Sequence, residues 1–112
     1  MNDFSRVVLY QAYHEIIAEE KKEEETIADV VGPVCESGDF FAKDRKLPRF
    51  KEGDYLIIMG TGAYGFSMAS NYNSRPRASE VLVDQNRCYL IRRGESYLDL
   101  IQGESIPPRL LF

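Results

Sequence analysis

Two segments of the sequence combine reactive or charged side chains with residues that form turns. The cysteine segment (residues 35–39) contains Cys35, Glu36 and Asp39, and the tyrosine segment (residues 62–77) is rich in glycine, tyrosine, asparagine and arginine. A thiol and two carboxylates crowded into one turn are costly to remove from water unless they meet a ligand or a partner. Both segments are therefore candidates for a binding or catalytic site.

Cys35 could act as a nucleophile only beside a base that takes its proton. The only histidine is His14, and the sequence does not show whether it lies near Cys35 in the fold. A buried structural thiol is the usual alternative. The second cysteine is Cys88, and neither belongs to a Cys-x-x-Cys motif or a His/Cys cluster, so free thiols are expected rather than a disulfide or a metal site.

Arg6 and Tyr10 are four residues apart near the start of the chain. In a helix this spacing puts both side chains on one face, where a guanidinium and a phenol form a carboxylate-binding pair. The alternative is an exposed arginine beside a tyrosine whose ring packs on the surface while its hydroxyl reaches water.

Residues 60–65 fit the pattern G-x-G-x-x-G after an apolar stretch, and Asp84 follows at about the interval of a ribose-binding acid. A dinucleotide-binding fold also needs a parallel sheet with a crossover helix, whereas the residues after Gly65 are polar and are interrupted by Pro76. A dinucleotide site is therefore not expected. The glycines beside Tyr64 either let backbone amides approach an anion or only turn the chain, and the sequence leaves both open.

A mainly β domain is predicted to position these residues. Alternating or β-branched stretches predict strands at residues 14–18, 26–34, 55–59, 79–83 and 87–92, with a further short apolar piece at residues 40–42. Short helices are predicted within residues 3–13 and 97–101, and the charged block at residues 19–25 is predicted to be a solvated hairpin tip. The expected architecture is an antiparallel β-sandwich or Greek-key barrel with short helices.

Composition limits the chain to one ordinary domain. It has 112 residues and a formal net charge of −4, which argues against a nucleic-acid partner. The arginines between residues 75 and 93 alternate with strand-like residues, so pairing within the protein is expected. No apolar run has the roughly 18 residues of a membrane span and no signal peptide is recognisable, so a cytoplasmic location without membrane contact is expected.

Several motifs, taken in order, resemble one family. They are Arg6-x-x-x-Tyr10, Tyr13-His14, the run at residues 31–39 and the tyrosine segment. Together they resemble the C-terminal domain of the diaminopimelate decarboxylases, over residues 1–103, with residues 104–112 as a tail. Ornithine decarboxylases are less similar in both segments. One departure is Val7, where the family commonly has proline.

The resemblance implies a two-domain enzyme of the alanine-racemase-like fold type. An N-terminal (β/α)8 barrel would hold pyridoxal 5'-phosphate on a lysine that is not in this chain, and the β domain would complete the site across a head-to-tail homodimer. The reaction implied is the conversion of meso-diaminopimelate to L-lysine and carbon dioxide in lysine biosynthesis. The chain alone is expected to be inactive, since the barrel is missing.

The resemblance also implies residue roles. Arg6 and Tyr10 would hold the distal carboxylate of the substrate, and Tyr64 would contact the substrate and the cofactor near its phosphate. Cys35, as a catalytic residue, and Glu36, directed at the distal ammonium, would reach into the partner subunit's site.

Two other functions remain open. A stand-alone β module could bind a partner through Tyr64, Tyr72 and the arginines, without catalysis. A sibling decarboxylase could act on another basic amino acid. If the decarboxylase resemblance holds, the first strand of the parent enzyme joins this sheet, and the isolated domain should expose a strand edge and an apolar face.

Overall fold

The computed structural model describes residues 6–110, which form short antiparallel strands with a few helical turns. The elements are α1 (Arg6–Tyr10), β1 (Ile16–Ala18), β2 (Glu25–Val31), β3 (Phe40–Pro48), β4 (Leu56–Ile58), β5 (Glu80–Asp84), β6 (Arg87–Arg92) and α2 (Tyr97–Leu100), with 3-10 turns at Tyr72–Ser74 and Pro108–Leu110. The mainly β prediction is confirmed. The part of the first predicted helix that precedes Arg6 lies outside the described residues.

The strands pair in three antiparallel ladders of two strands each, β1 with β4, β2 with β3, and β5 with β6. Closure into a sandwich or a barrel stays a prediction. The expectation that residues 19–25 form a hairpin tip is wrong, because β1 pairs with β4 rather than with β2. These residues instead link two ladders, and Lys22 among them is half-buried in an ion pair with Asp54.

β3 is longer than its apolar residues indicate. It continues from Phe40 through the charged run at residues 43–46 to Pro48, because β2 pairs with both ends of the strand, with an irregularity between them. Its buried side chains Phe41, Ala42 and Leu47 form the core together with Val7 of α1 and Ile16 of β1. Val7 thus has a packing role at the position where the resembling family has proline.

The far end of the β2–β3 hairpin is closed by Gly32 and Asp39. The Gly32 N–H donates to the Asp39 carbonyl oxygen at 2.7 Å, and the Val34 N–H donates to Asp39 Oδ2 at 3.2 Å. The Asp39 side chain is only 3% exposed and lies directly over Gly32, where an added Cβ would be 1.8 Å from Oδ2. Only glycine fits beneath this carboxylate, and the turn that carries Cys35 begins there.

The β5–β6 hairpin leaves much of its apolar surface in water. Its exposed large side chains are Val81, Leu82, Val83, Tyr89, Leu90 and Ile91. Beside it lies an open cavity of about 830 Å³, whose lining includes Phe41, Ile58, Phe66, Leu82 and Ile91. The expected apolar face is therefore present. Among residues 6–110, no helix has the length and apolar character needed to cross a membrane.

Replacing Gly32 with alanine should destabilise the chain by about 1–3 kcal/mol, since the new methyl group must displace the Asp39 carboxylate or the backbone. Urea unfolding followed by circular dichroism measures this change. Gly62→Ala is the matched control, because a Cβ there meets nothing within 4 Å, and it should change stability by less than about 0.5 kcal/mol. Equal stability of the two variants would contradict the role given to Asp39.

Candidate functional site

α1 brings three of the predicted site residues together. Arg6 and Tyr10 share one face of the helix, with the Arg6 guanidinium carbon 6.0 Å from the centroid of the Tyr10 ring. The same carbon lies 4.4 Å from the centroid of the Tyr64 ring, within the range of a cation–π contact. Arg6 is half-buried between these rings, so it differs from the fully exposed arginine of the alternative interpretation.

The glycine-rich turn after β4 sets the position of Tyr64. The N–H groups of Tyr64 and Gly65 both donate to the Thr61 carbonyl oxygen, at 3.2 and 2.6 Å. A Cβ at residue 65 would be 2.8 Å from that oxygen, so the turn requires glycine. These glycines therefore turn the chain, and with only antiparallel pairing in residues 6–110 the dinucleotide motif has no supporting fold.

His14 supports the residues before this turn. It is buried, and its ring Nδ1 donates to the Met59 carbonyl oxygen at 2.9 Å. The ring lies beside Gly60, where an added Cβ would be 3.8 Å from Nδ1. His14 thus joins β1 to the start of the glycine-rich turn, a structural role that the sequence did not indicate.

The cysteine segment folds into a compact turn stabilised by its own hydrogen bonds. The Asp39 N–H donates to the Glu36 carbonyl oxygen at 3.0 Å, and the Gly38 N–H donates to the Glu36 carboxylate at 3.0 Å. Cys35 and Glu36 are both exposed, so the interpretation of Cys35 as a buried structural thiol is wrong. Cys35 and Cys88 are free thiols, as predicted.

The cysteine and tyrosine segments contact each other. The Cys35 N–H donates to Asn73 Oδ1 at 2.6 Å, and the Tyr72 hydroxyl donates to the Cys35 carbonyl oxygen at 3.4 Å. Gly38 also approaches α1, since a Cβ added there would lie 3.3 Å from Val8 Cγ1. α1 therefore adjoins both segments, although the described contacts of Arg6 involve Tyr10 and Tyr64 rather than the thiol or Glu36.

Glu95 fixes the far end of the tyrosine segment. Its carboxylate accepts hydrogen bonds from Arg77 Nη2 at 2.5 Å, Arg77 Nε at 2.8 Å, the Arg77 backbone N–H at 2.7 Å and Asn71 Nδ2 at 2.6 Å. The Arg77 side chain and then its backbone N–H lower the pKa of Glu95 from 4.5 to about 2. The only sequence signal for this role is the position of Glu95 directly after the arginine-rich stretch.

The neighbouring arginines are paired as well. Arg92 pairs with Glu80 across the β5–β6 ladder, and Arg93 pairs with Asp99 at 2.6 Å. Hydrogen bonds from Arg93, followed by those from Ser96, lower the pKa of Asp99 at the start of α2. The prediction that the arginines between residues 75 and 93 pair inside the protein is confirmed for Arg77, Arg92 and Arg93.

A family model described as the C-terminal sheet domain of pyridoxal-dependent decarboxylases matches residues 1–62. The chain belongs to this family. Its matched part contains α1, the β2–β3 hairpin and the cysteine segment. Four of the five predicted site residues lie in this matched part, namely Arg6, Tyr10, Cys35 and Glu36.

Relatives named diaminopimelate decarboxylase match this pyridoxal-dependent decarboxylase domain over most of its length. The protein of Methanothermobacter thermautotrophicus is 49% identical over 98% of this chain and 26% of its own length. That of Neisseria meningitidis is 58% identical over 86% of this chain and 23% of its own length. The chain therefore spans about a quarter of the curated relatives it matches.

Solved structures agree with the family assignment. Diaminopimelate decarboxylase from M. jannaschii, solved also with L-lysine, superposes with a TM-score of 0.89 at 46% identity, covering 99% of this chain and 26% of that one. The Helicobacter pylori enzyme in complex with L-lysine gives a TM-score of 0.81 at 47% identity, covering 91% of this chain and 25% of that one.

Acid should release the Glu95 contacts. Because folding lowers the pKa of Glu95, its contribution to stability is complete above about pH 4.5 and is lost as pH falls from 4.5 through about 2. Tyrosine near-UV circular dichroism across this window should report loosening of residues 71–77. In Glu95→Gln the same region should already be loosened at pH 7. An unchanged acid transition in that variant would show that Glu95 is not responsible.

Proposed function

We propose that this chain is the C-terminal domain of a pyridoxal-phosphate-dependent diaminopimelate decarboxylase, the enzyme that converts meso-diaminopimelate to L-lysine and carbon dioxide. The observation that supports this most is the identity of 49% over 98% of the chain with a relative of that name. The grouping of Arg6, Tyr10 and Tyr64 is consistent with a binding site for a charged substrate.

Arg6 would hold the distal carboxylate of the substrate. Its guanidinium carbon lies over the Tyr64 ring, 4.4 Å from the ring centroid, and its N–H groups would donate two parallel hydrogen bonds to a carboxylate. The Tyr10 phenol lies on the same helix face and would add a further donor. Contact with the Tyr64 ring would restrict the arginine side chain, so that less conformational entropy is lost when the substrate binds.

Cys35 and Glu36 would act in the active site of the partner subunit of a homodimer. Both are exposed on a turn whose backbone is held at several points, and an exposed carboxylate is a suitable ligand for the distal ammonium of the substrate. Arg6 and Glu36 together would then select a molecule with a carboxylate and an ammonium at the end away from the reaction. Cys35 would lie beside the reacting part of the substrate as a catalytic residue.

This chain would contact pyridoxal 5'-phosphate only at the edge of the cofactor site, most of which would belong to the barrel. The exposed Tyr64 at the glycine-rich turn would border the cofactor near its phosphate. The cofactor lysine would be supplied by the barrel, as the resemblance implies. When bound, the cofactor would supply an electron sink for the bond to be broken. This chain would orient the substrate.

The domain would cover residues 1–103, with residues 104–112 as a tail. The exposed apolar face of β5 and β6 and the adjacent cavity support packing against the barrel and against the first strand of the enzyme. A homodimeric cytoplasmic enzyme of lysine biosynthesis is the assembly proposed.

The chain with pyridoxal 5'-phosphate alone should release no carbon dioxide from meso-diaminopimelate. Addition of a separately expressed barrel domain, such as that of the Methanothermobacter relative, should restore release, because both parts of the site are then present. Carbon dioxide and L-lysine are the products to measure. Turnover without the barrel would contradict the division of roles, and failure to bind any barrel domain would favour a stand-alone module.

Substrate choice separates this proposal from a sibling decarboxylase. The restored enzyme should prefer meso-diaminopimelate over L-lysine, L-ornithine and L-arginine, since these three lack the distal carboxylate that Arg6 would bind. Faster turnover of any of them would assign Arg6 to a different end of the substrate.

Removing either distal charge contact should weaken the reaction. In the restored enzyme, Arg6→Met and Glu36→Gln should each lower kcat/KM for meso-diaminopimelate by about 10- to 100-fold, as expected for a lost charge-assisted hydrogen bond. Arg109→Met and Glu52→Gln are matched controls, because both residues are exposed and lie outside the proposed site and the β5–β6 hairpin. Equal effects in a variant and its control would remove that residue from the site.

A further inference from the structure

Both backbone polar groups of Cys35 are held by side chains from a distant part of the chain. Asn73 Oδ1 accepts the Cys35 N–H at 2.6 Å, and the Tyr72 hydroxyl donates to the Cys35 carbonyl oxygen at 3.4 Å. The bonds described above for Glu36, Gly38 and Asp39 all stay within the turn itself. Asn73 and Tyr72 thus connect the backbone of the turn to a segment about 38 residues away along the chain.

The backbone at residue 73 explains why asparagine is suited to this contact. Asn73 has φ 56° and ψ 30°, in the left-handed region, and Ser74 also has φ 56°. Asparagine tolerates this conformation better than most residues with a Cβ, and its side chain also carries a carbonyl acceptor. Glycine adopts the left-handed conformation but has no side-chain acceptor, whereas aspartate tolerates this conformation and also carries an oxygen acceptor. Strained backbone held in place by its surroundings is common at functional sites.

The segment that carries Asn73 is itself anchored. Asn71 Nδ2 donates to the Glu95 carboxylate at 2.6 Å and to the Arg75 carbonyl oxygen at 3.1 Å. The Tyr72 N–H donates to the Ser70 hydroxyl at 3.2 Å. A hydrogen bond from a fixed support restricts the group that it reaches, so the contact between Asn73 and Cys35 can orient the exposed turn.

We propose that Asn73 is a positioning residue that holds the Cys35 backbone, so that the thiol and the Glu36 carboxylate project from one defined turn. Tyr72 assists through its longer bond to the Cys35 carbonyl oxygen. The catalytic consequence rests on the proposed function, because it requires Cys35 and Glu36 to meet the substrate. The structural part concerns this chain alone and does not depend on the activity.

Hydrogen exchange of the Cys35 amide, measured by NMR on the whole chain, tests the contact directly. Asn73→Gly removes the acceptor without backbone strain and should speed this exchange about tenfold, the loss expected for one hydrogen bond. Asn73→Asp should keep exchange within about threefold of the original, since an oxygen acceptor remains. Tyr72→Phe should have a smaller effect than Asn73→Gly, because its bond is longer.

Two controls separate positioning from general destabilisation. The Gly32 amide, bonded to the Asp39 carbonyl oxygen, should exchange at an unchanged rate in Asn73→Gly. Ser74→Gly relieves the neighbouring left-handed residue without removing the Asn73 acceptor, and it should leave Cys35 exchange unchanged. An unchanged Cys35 amide in Asn73→Gly, equal acceleration at Gly32, or failure of Asn73→Asp to retain protection would overturn the proposal.

The enzyme restored with a barrel domain provides the catalytic readout. Asn73→Gly should lower kcat/KM for meso-diaminopimelate about tenfold, and Asn73→Asp should recover most of the loss. A normal kcat/KM in Asn73→Gly would overturn the catalytic part of the proposal. If the original chain gives no activity with any barrel, the proposed function fails, whereas the exchange measurements still decide whether Asn73 holds Cys35.

Discussion

The packing of the Asp39 carboxylate over Gly32 is the contact on which the cysteine segment depends. It closes the longest ladder of the domain, in which register shifts along β2 bring Val31 opposite Phe40. The backbone and side-chain bonds between residues 32, 34 and 39 then leave a short turn with little freedom. The Cys35 thiol and the Glu36 carboxylate are thus presented on a hairpin end held by hydrogen bonds, which preserves their geometry better than a long mobile loop could.

The two halves of the chain are stabilised in different ways. The first half has an apolar core in which Val7, Phe41 and Leu47 are buried. The second half contains arginine–carboxylate pairs that fix the arrangement of its segments, Arg77 with Glu95, Arg92 with Glu80 and Arg93 with Asp99. Such pairs near the surface contribute little free energy and are screened by salt. They orient the tyrosine segment and α2, but burial of the apolar residues must supply most of the stability.

Local patterns in the sequence predicted much of the fold. The β5–β6 hairpin, the short helix near residue 97 and the shared face of Arg6 and Tyr10 follow from residue periodicity and turn chemistry, and the structure contains all three. The polar half of β3 was missed, because the charged run at residues 43–46 shows no apolar alternation and stays in the strand through the pairing of Arg45 and Lys46 with β2.

Long-range contacts could not be predicted in the same way. The pairing of β1 with β4 joins residues about 40 positions apart, and no local signal distinguishes it from pairing with β2. The bond from Cys35 to Asn73 spans 38 residues and depends on a left-handed backbone conformation that the sequence does not specify. The roles of Cys35, Glu36 and Tyr64 in a reaction stay predictions, since they depend on groups from outside the chain.

The β5–β6 hairpin places apolar side chains on both of its faces, because the opposed pairs Val81–Leu90 and Leu82–Tyr89 point in opposite directions. A strand pair of this kind gains hydrophobic free energy only when two separate bodies cover it, one on each side. Among residues 6–110 these side chains remain largely exposed to water. Any body that binds both faces of the hairpin would therefore raise the midpoint of its thermal unfolding.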